Sequence, residues 1–274
     1  MNAPRCSTTR PAHDARATAR NSLSVLSPVD LAPGLVHSLL CVDHDEAPIV
    51  TRTHGLTFDA PTHTYVLDGA VVPSVTGILK AAGLIDFSSI PPFVLEAARA
   101  RGTAVHAAIH YYNADDLDIP AFTDEFPDCV GYLEAWIRFR ELRRFVPVLN
   151  EHRLASRRYQ LAGTADCFGL LDGAPVLLDF ATGRPQDVAK DLQTAAYYTL
   201  ALEWAADGED PELAAFLARG VVRRYGVALR RDGSFSLDPY SDPADFREFL
   251  ALVDAYRIVT RRRPACCSWV PEVA

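Results

Sequence analysis

The chain has 274 residues, of which 49% are hydrophobic, enough for one large domain with a sizeable core. A formal net charge of −8 excludes a protein that grips nucleic acid by bulk positive charge, but not one whose carboxylates recruit divalent ions. No run approaches the ~18 consecutive apolar residues of a membrane-crossing helix, so a soluble chain with no membrane partner is expected.

Residues 1–55 read as a poorly ordered leader. Its opening, MNAPRCSTTRPAHDARATARNS, carries one acid, Asp14, and no sustained periodicity. The composition also resembles an organelle transit peptide, but a dispensable leader is the simpler reading. The cysteines Cys6, Cys41, Cys129, Cys167, Cys266 and Cys267 include no C-x-x-C pair, and no secretory signal precedes them. Reduced thiols in a cytoplasm are therefore expected, and a structural zinc or iron–sulfur site is not.

Order is expected over 56–262. THTYVLDGAVVPSVTGIL alternates about Asp68-Gly69, the pattern of a hairpin. Pro91-Pro92 then opens the helix FVLEAARARGTAVHAAIHYYN, and a second helix covers about 128–145. NEHRLASRRYQ, LAGTADCFGLL and APVLLDFAT read as strands, with a kink at Gly163 and a turn at Leu171-Asp172-Gly173. A helix from Asp187 to Ala206, two strands joined at Asp232-Gly233, and a helix capped by Asp242 complete the order. Residues 263–274 are left as a tail. This succession predicts an α/β sandwich with a central mixed sheet flanked by helices.

Within it, Asp166 and Asp179 fall at strand ends on successive strands across one tight turn, so a hairpin brings them together. Hydrolysis of a phosphodiester needs an activated water and charge neutralisation at the phosphoryl oxygens. Carboxylates holding Mg²⁺ or Mn²⁺ in a cleft supply both. His106 lies on an apolar helix, and His110 one turn beyond it beside Tyr111 and Tyr112. Read without other motifs, His106 is better explained by core packing.

The ordered set RGTAVH, E-x-R-L, AGTAD, LLDFATG and QTAAY resembles the RecB-like, phage-type exonuclease group of the PD-(D/E)XK nuclease superfamily. The upstream PSVTGIL and HTY-x-LDG segments add to it, and the resemblance spans residues 58–255. It implies a restriction-endonuclease-like sandwich and a Mg²⁺- or Mn²⁺-dependent DNA nuclease, exonuclease-like and serving repair, recombination or phage DNA processing. It implies His106, Asp166, Asp179 and the Phe180 carbonyl as metal ligands, with Glu151 either reaching the metal through water or lying at the surface. Gln193 and Tyr197 match a Q-x-x-x-Y pair that contacts the DNA backbone or braces the site. Where relatives carry an acid four residues after the histidine, this chain has His110, which reads as structural or substrate-contacting. Arg99 and Arg101, just before His106, read equally as phosphate contacts or as ordinary solvated helix charges.

One position departs from the signature D-x-K-T-G: the catalytic lysine is replaced by Ala181, within Asp179-Phe180-Ala181-Thr182-Gly183. Alanine cannot orient a water. Three explanations stand: a lysine replaced deliberately to silence cleavage, a natural pseudo-nuclease that binds DNA or a protein partner, or migration of the lysine's role. Lys190 is the candidate for migration, three residues before Gln193 on the same helix face; Arg184 is nearer in sequence but too basic to act as a base. The resulting expectation is a chain that binds Mn²⁺ and DNA but cuts slowly or not at all. A catalytically dead homologue acting as a DNA-binding or protein-interaction module is the alternative; DNA binding that survives metal chelation would point to an arginine surface such as Arg223, Arg224, Arg230 and Arg231. An unrelated metal hydrolase built on His106 and His110 is weaker, since the glutamate of H-E-x-x-H is missing.

Overall fold

The computed structural model describes residues 55–183 and 189–262. The leader and tail expectations (1–54 and 263–274, with their four cysteines), Arg184 and the expected helix start at Asp187 lie outside them. Among the described residues, no helix is long and apolar enough to cross a membrane, and Cys129 and Cys167 are buried free thiols.

Strands β2 (Thr64–Leu67) and β3 (Ala70–Val72) are joined at Asp68 and Gly69, with φ of 49° and 82°. Positive φ at both central residues gives the turn whose twist matches two paired strands. Strand β1 (Leu56–Asp59) completes a three-stranded antiparallel sheet, with Leu56 opposite Leu67. The hairpin stops sooner than its alternation suggests. After Pro73, the Ser74 hydroxyl accepts the Gly77 N–H and caps helix α1 (Val75–Ala81). Helix α2 (Pro92–Asn113) follows, then the short α3 (Ile119–Glu125), capped by Asp118, and α4 (Val130–Leu142).

The main sheet has five strands in the order β4 (Phe145–Ser156), β5 (Leu161–Leu171), β6 (Ala174–Ala181), β7 (Arg223–Leu229), β8 (Phe235–Tyr240). All neighbours are antiparallel except β6 and β7. The parallel pair is bridged by α5 (Lys190–Ala206) and α6 (Pro211–Leu217), and α7 (Asp245–Arg262) follows β8. A parallel pair needs such a crossover, and an α/β architecture with a mixed sheet results. Helix α6 escaped the sequence reading, although Asp210 caps it by accepting the Leu213 N–H.

Successive residues of β6 separate the two cores. Leu177 packs with Phe168 and Leu149 against α5, α7 and α1, while Leu178 packs with Cys167, Val227 and Leu229 against α2 and α4. The strand is thus covered on both faces, which is why PVLLDF reads as a nearly continuous apolar run.

Gly163 does not kink its strand: β5 runs through it to Leu171. Its role is clearance. A Cβ there would lie 2.7 Å from Tyr197 Cε1 and 3.4 Å from Val75 Cγ2. Gly163→Ala is expected to cost about 1–3 kcal/mol by overpacking, read from urea unfolding, and to disturb α5 by displacing Tyr197. An unchanged unfolding midpoint would mean that the Tyr197 contact gives way freely.

Candidate metal centre

The site forms where β5 and β6 part. Their ladder runs from Leu171–Ala174 to Cys167–Leu178 and stops there, one step short of Asp166 and Asp179. Asp166 is therefore not at a strand end, as the sequence suggested; it is inside β5, at the point where its neighbour turns away. Its Oδ2 accepts the Phe180 N–H at 2.7 Å, so a side chain takes the place of a ladder acceptor. Asp179, 2% exposed, lies two residues from the end of β6.

Pairing on the other side of Asp166 is interrupted as well. Asn150 pairs with Cys167 and His152 with Ala165, while Glu151 between them adopts φ of 47°. A non-glycine residue in the left-handed region costs about 1–3 kcal/mol and persists only where its surroundings hold it. Here Glu151 Oε1 lies 3.4 Å from His106 Nδ1, and Asp166 Oδ1 lies 3.8 Å from the same nitrogen. Helix α2 supplies His106, and the imidazole rests edge-on against the Phe180 ring, centroids 5.7 Å apart. Phe180 itself is buried against Trp136 at 4.7 Å, which fixes this wall.

One ligand atom each of His106, Glu151 and Asp166 can be chosen so that all lie within 4.8 Å of one another. Ligands ~2.1 Å from one octahedral ion sit about 3 Å apart when adjacent and about 4.2 Å apart when opposite, so the spacing suits a single cation after small adjustments. A mixed imidazole–carboxylate set favours Mn²⁺ over Mg²⁺. Asp179 is beside this group rather than in it, because its Oδ2 pairs with the Lys190 ammonium at the start of α5. Its Oδ1 is buried with no hydrogen-bond partner among the described residues. An orphaned buried carboxylate oxygen is costly, and a cation or an ordered water would satisfy it.

The charges register the crowding. Burial, with Asp166 nearby and against the pull of Lys190, pushes the Asp179 carboxyl up to about 6. Burial and then Glu151 raise Asp166, against His106 and Lys190. Burial depresses the His106 imidazole, but Asp166 and Glu151 more than reverse this and carry it up to about 9.

Gln193 and Tyr197 are both buried, and the Gln193 amide donates to the Tyr197 hydroxyl at 3.1 Å. They brace α5 against β5, with the Tyr197 ring over Gly163. Of the arginines, Arg224 is committed to Asp245 at 2.6 Å and to the Asp191 carbonyl at 2.7 Å, and Arg231 pairs with Asp128. Of the 223–231 arginines, Arg224 is thus withdrawn from the surface, while Arg231 stays exposed beside Asp128. Arg101 stacks over Tyr132 at 5.8 Å, while Arg99 is exposed. His110 packs edge-on to Tyr111 at 5.3 Å. Ala181 ends β6, opposite Ala228. The direct approach of Glu151 to His106 was the feature least visible in the sequence; its positive φ leaves no mark in residue type.

Comparison with protein-family models and with curated protein sequences finds no match to this chain.

A raised imidazole must lose its proton to bind a cation. His106 and Asp179 both bind protons more tightly folded than unfolded. Their contributions to stability are complete below about 6.5 and 3.8 respectively, and are lost as pH rises through about 9 and about 6. The cation-free protein should therefore melt at lower temperature at pH 8.5 than at pH 6.5, and the upward shift in Tm produced by Mn²⁺ should grow over that interval. A Mn²⁺-induced shift independent of pH would remove His106 from the ligand set.

Proposed function

We propose that the chain is a divalent-cation-dependent phosphodiesterase acting on DNA, with a restriction-endonuclease-like sandwich of the PD-(D/E)XK, RecB-like type. The observation that carries this reading is the convergence of His106, Glu151 and Asp166 at the parting of two strands, with Asp179 and Lys190 adjoining. The motifs RGTAVH, E-x-R-L, AGTAD and LLDFATG supply His106, Glu151, Asp166 and Asp179 in the order of that group, and Lys190 stands three residues before the QTAAY motif. Mn²⁺ or Mg²⁺ at such a site would neutralise phosphoryl oxygens and acidify a water. His106, Glu151 and Asp166 would hold it, and Asp179 would offer its unpartnered Oδ1.

The remaining chemistry belongs to Lys190. Ala181 provides no cation, yet a cation sits on the second aspartate all the same, delivered from α5 instead of β6. Lys190 thereby keeps Asp179 ionised near neutral pH and can orient an attacking water by donation from its ammonium. Of the three explanations of Ala181, this geometry favours migration of the lysine's role. Lys190 spends part of its charge on Asp179, so the chain as written is expected to cut more slowly than an Ala181→Lys form.

The test is cleavage of plasmid and linear DNA in Mn²⁺. The unaltered chain should cut slowly, Ala181→Lys faster, and Lys190→Ala should lose roughly 10²–10⁴ in rate, the usual scale for one positioned proton-handling group. Asp166→Asn should abolish cutting. If only Ala181→Lys cuts, Lys190 has no role and the site is simply inactivated. If neither form cuts while DNA binding survives chelation of metal, the chain is a DNA-binding module and the phosphodiesterase reading falls.

A further inference from the structure

Strand β7 carries Gly226 in its interior, where glycine weakens a sheet and marks close approach by another group. The approaching group is Tyr240. A Cβ at position 226 would lie 2.4 Å from the Tyr240 hydroxyl oxygen and 3.1 Å from Cζ. Tyr240 pairs with Arg224 across the β7–β8 ladder, so its ring leans diagonally, two residues along, to cover Gly226. On the other side of β7, Gly226 is the register partner of Asp179. Paired residues share a face of the sheet, and neighbouring strands lie ~4.8 Å apart. The phenol thus ends one strand spacing from the Cα of Asp179, on the face that carries its carboxylate.

The hydroxyl makes no hydrogen bond among the described residues, and the side chain is part-exposed. Its charged neighbours are Asp179, Lys190 (ion-paired to Asp179), Asp238 and Asp191. An aromatic residue packed for apolar burial would hide its ring and leave its hydroxyl in bulk water. This one instead sends the hydroxyl over a vacant strand position and toward the acidic cleft.

We infer that Tyr240 is a substrate-positioning residue whose hydroxyl donates to a phosphoryl oxygen of the bound strand, and that Gly226 is the clearance that lets it reach there. This rests on the phosphodiesterase reading. Burial, and after it the Asp179 charge, pushes the phenol up to about 12, so the group stays a donor over the whole working range.

The experiment uses the full chain with short fluorescein-labelled DNA, single- and double-stranded, and Ca²⁺ in place of Mn²⁺ so that the strand stays intact. Tyr240→Phe should weaken DNA binding about tenfold, the scale of one hydrogen bond to a charged oxygen. Gly226→Ala should weaken it similarly, because the added methyl displaces only the far end of the Tyr240 side chain. The double variant should be no worse than either single one, the signature of two positions acting through one group. Mn²⁺ affinity, measured separately by calorimetry, should be unchanged in all three. Tyr240→Phe binding DNA as tightly as the unaltered chain, while Asp166→Asn does not, would overturn the role of Tyr240 and leave the proposed function standing. Loss of Mn²⁺ affinity in Tyr240→Phe would overturn it too, placing the phenol in the cation site. Failure of the unaltered chain to bind either DNA would remove the proposed function itself.

Discussion

Three carboxylates in one cleft cannot all keep their charge unless cations stand among them. Asp166, Asp179 and Glu151 repel one another where burial has removed much of the water that would screen them, and burial and crowding together raise the first two. The chain answers with two cations of its own. His106, held protonated, faces Asp166 and Glu151, and Lys190 faces Asp179. The answer is partial, since Asp179 Oδ1 has no partner among the described residues. A divalent ion, as proposed above, would supply the positive charge that these side chains leave wanting.

Delivering those groups accounts for much of the architecture. His106 arrives on α2 from one face of the sheet and Lys190 on α5 from the other, and each helix is seated by its own core. The crossover that makes β6 and β7 parallel also places the first residue of α5 beside Asp179. A lysine on that helix thus reaches the Asp179 carboxylate. Helix α5 is in turn held by Tyr197, whose ring occupies the space left by Gly163 and whose hydroxyl accepts from Gln193.

Sequence periodicity exposed the elements whose signals are local. Asp68-Gly69 and Asp172-Gly173 both have the paired positive φ of a two-residue hairpin, and the apolar run PVLLDF became a strand covered on both faces. Elements set by a single cap were harder to see. Ser74 turned the end of an alternating run into α1, and Asp210 began an α6 of seven residues, too short for periodicity to show. At the site, Asp166 and Asp179 could be placed together because a hairpin's register is arithmetic. The reach of Glu151 could not, because it depends on a backbone angle rather than on a residue type. Nor could Tyr240, because its position depends on a diagonal across two ladders and on the absence of a side chain in the third strand.

These unforeseen features share a physical character. Glu151 holds a backbone conformation that its residue type disfavours, Gly226 interrupts the packing of a strand, and Asp179 keeps an oxygen unsatisfied in the interior. Each lowers the stability of the isolated fold, and all three converge on the end of β6. Independent defects would be scattered over a sheet of five strands. Concessions that meet at one point are what arises when a local arrangement is held for a ligand whose binding repays it. His106 has two carboxylates within 4 Å, more than core packing asks of a histidine, and Glu151, although 37% exposed, approaches it on a strained backbone.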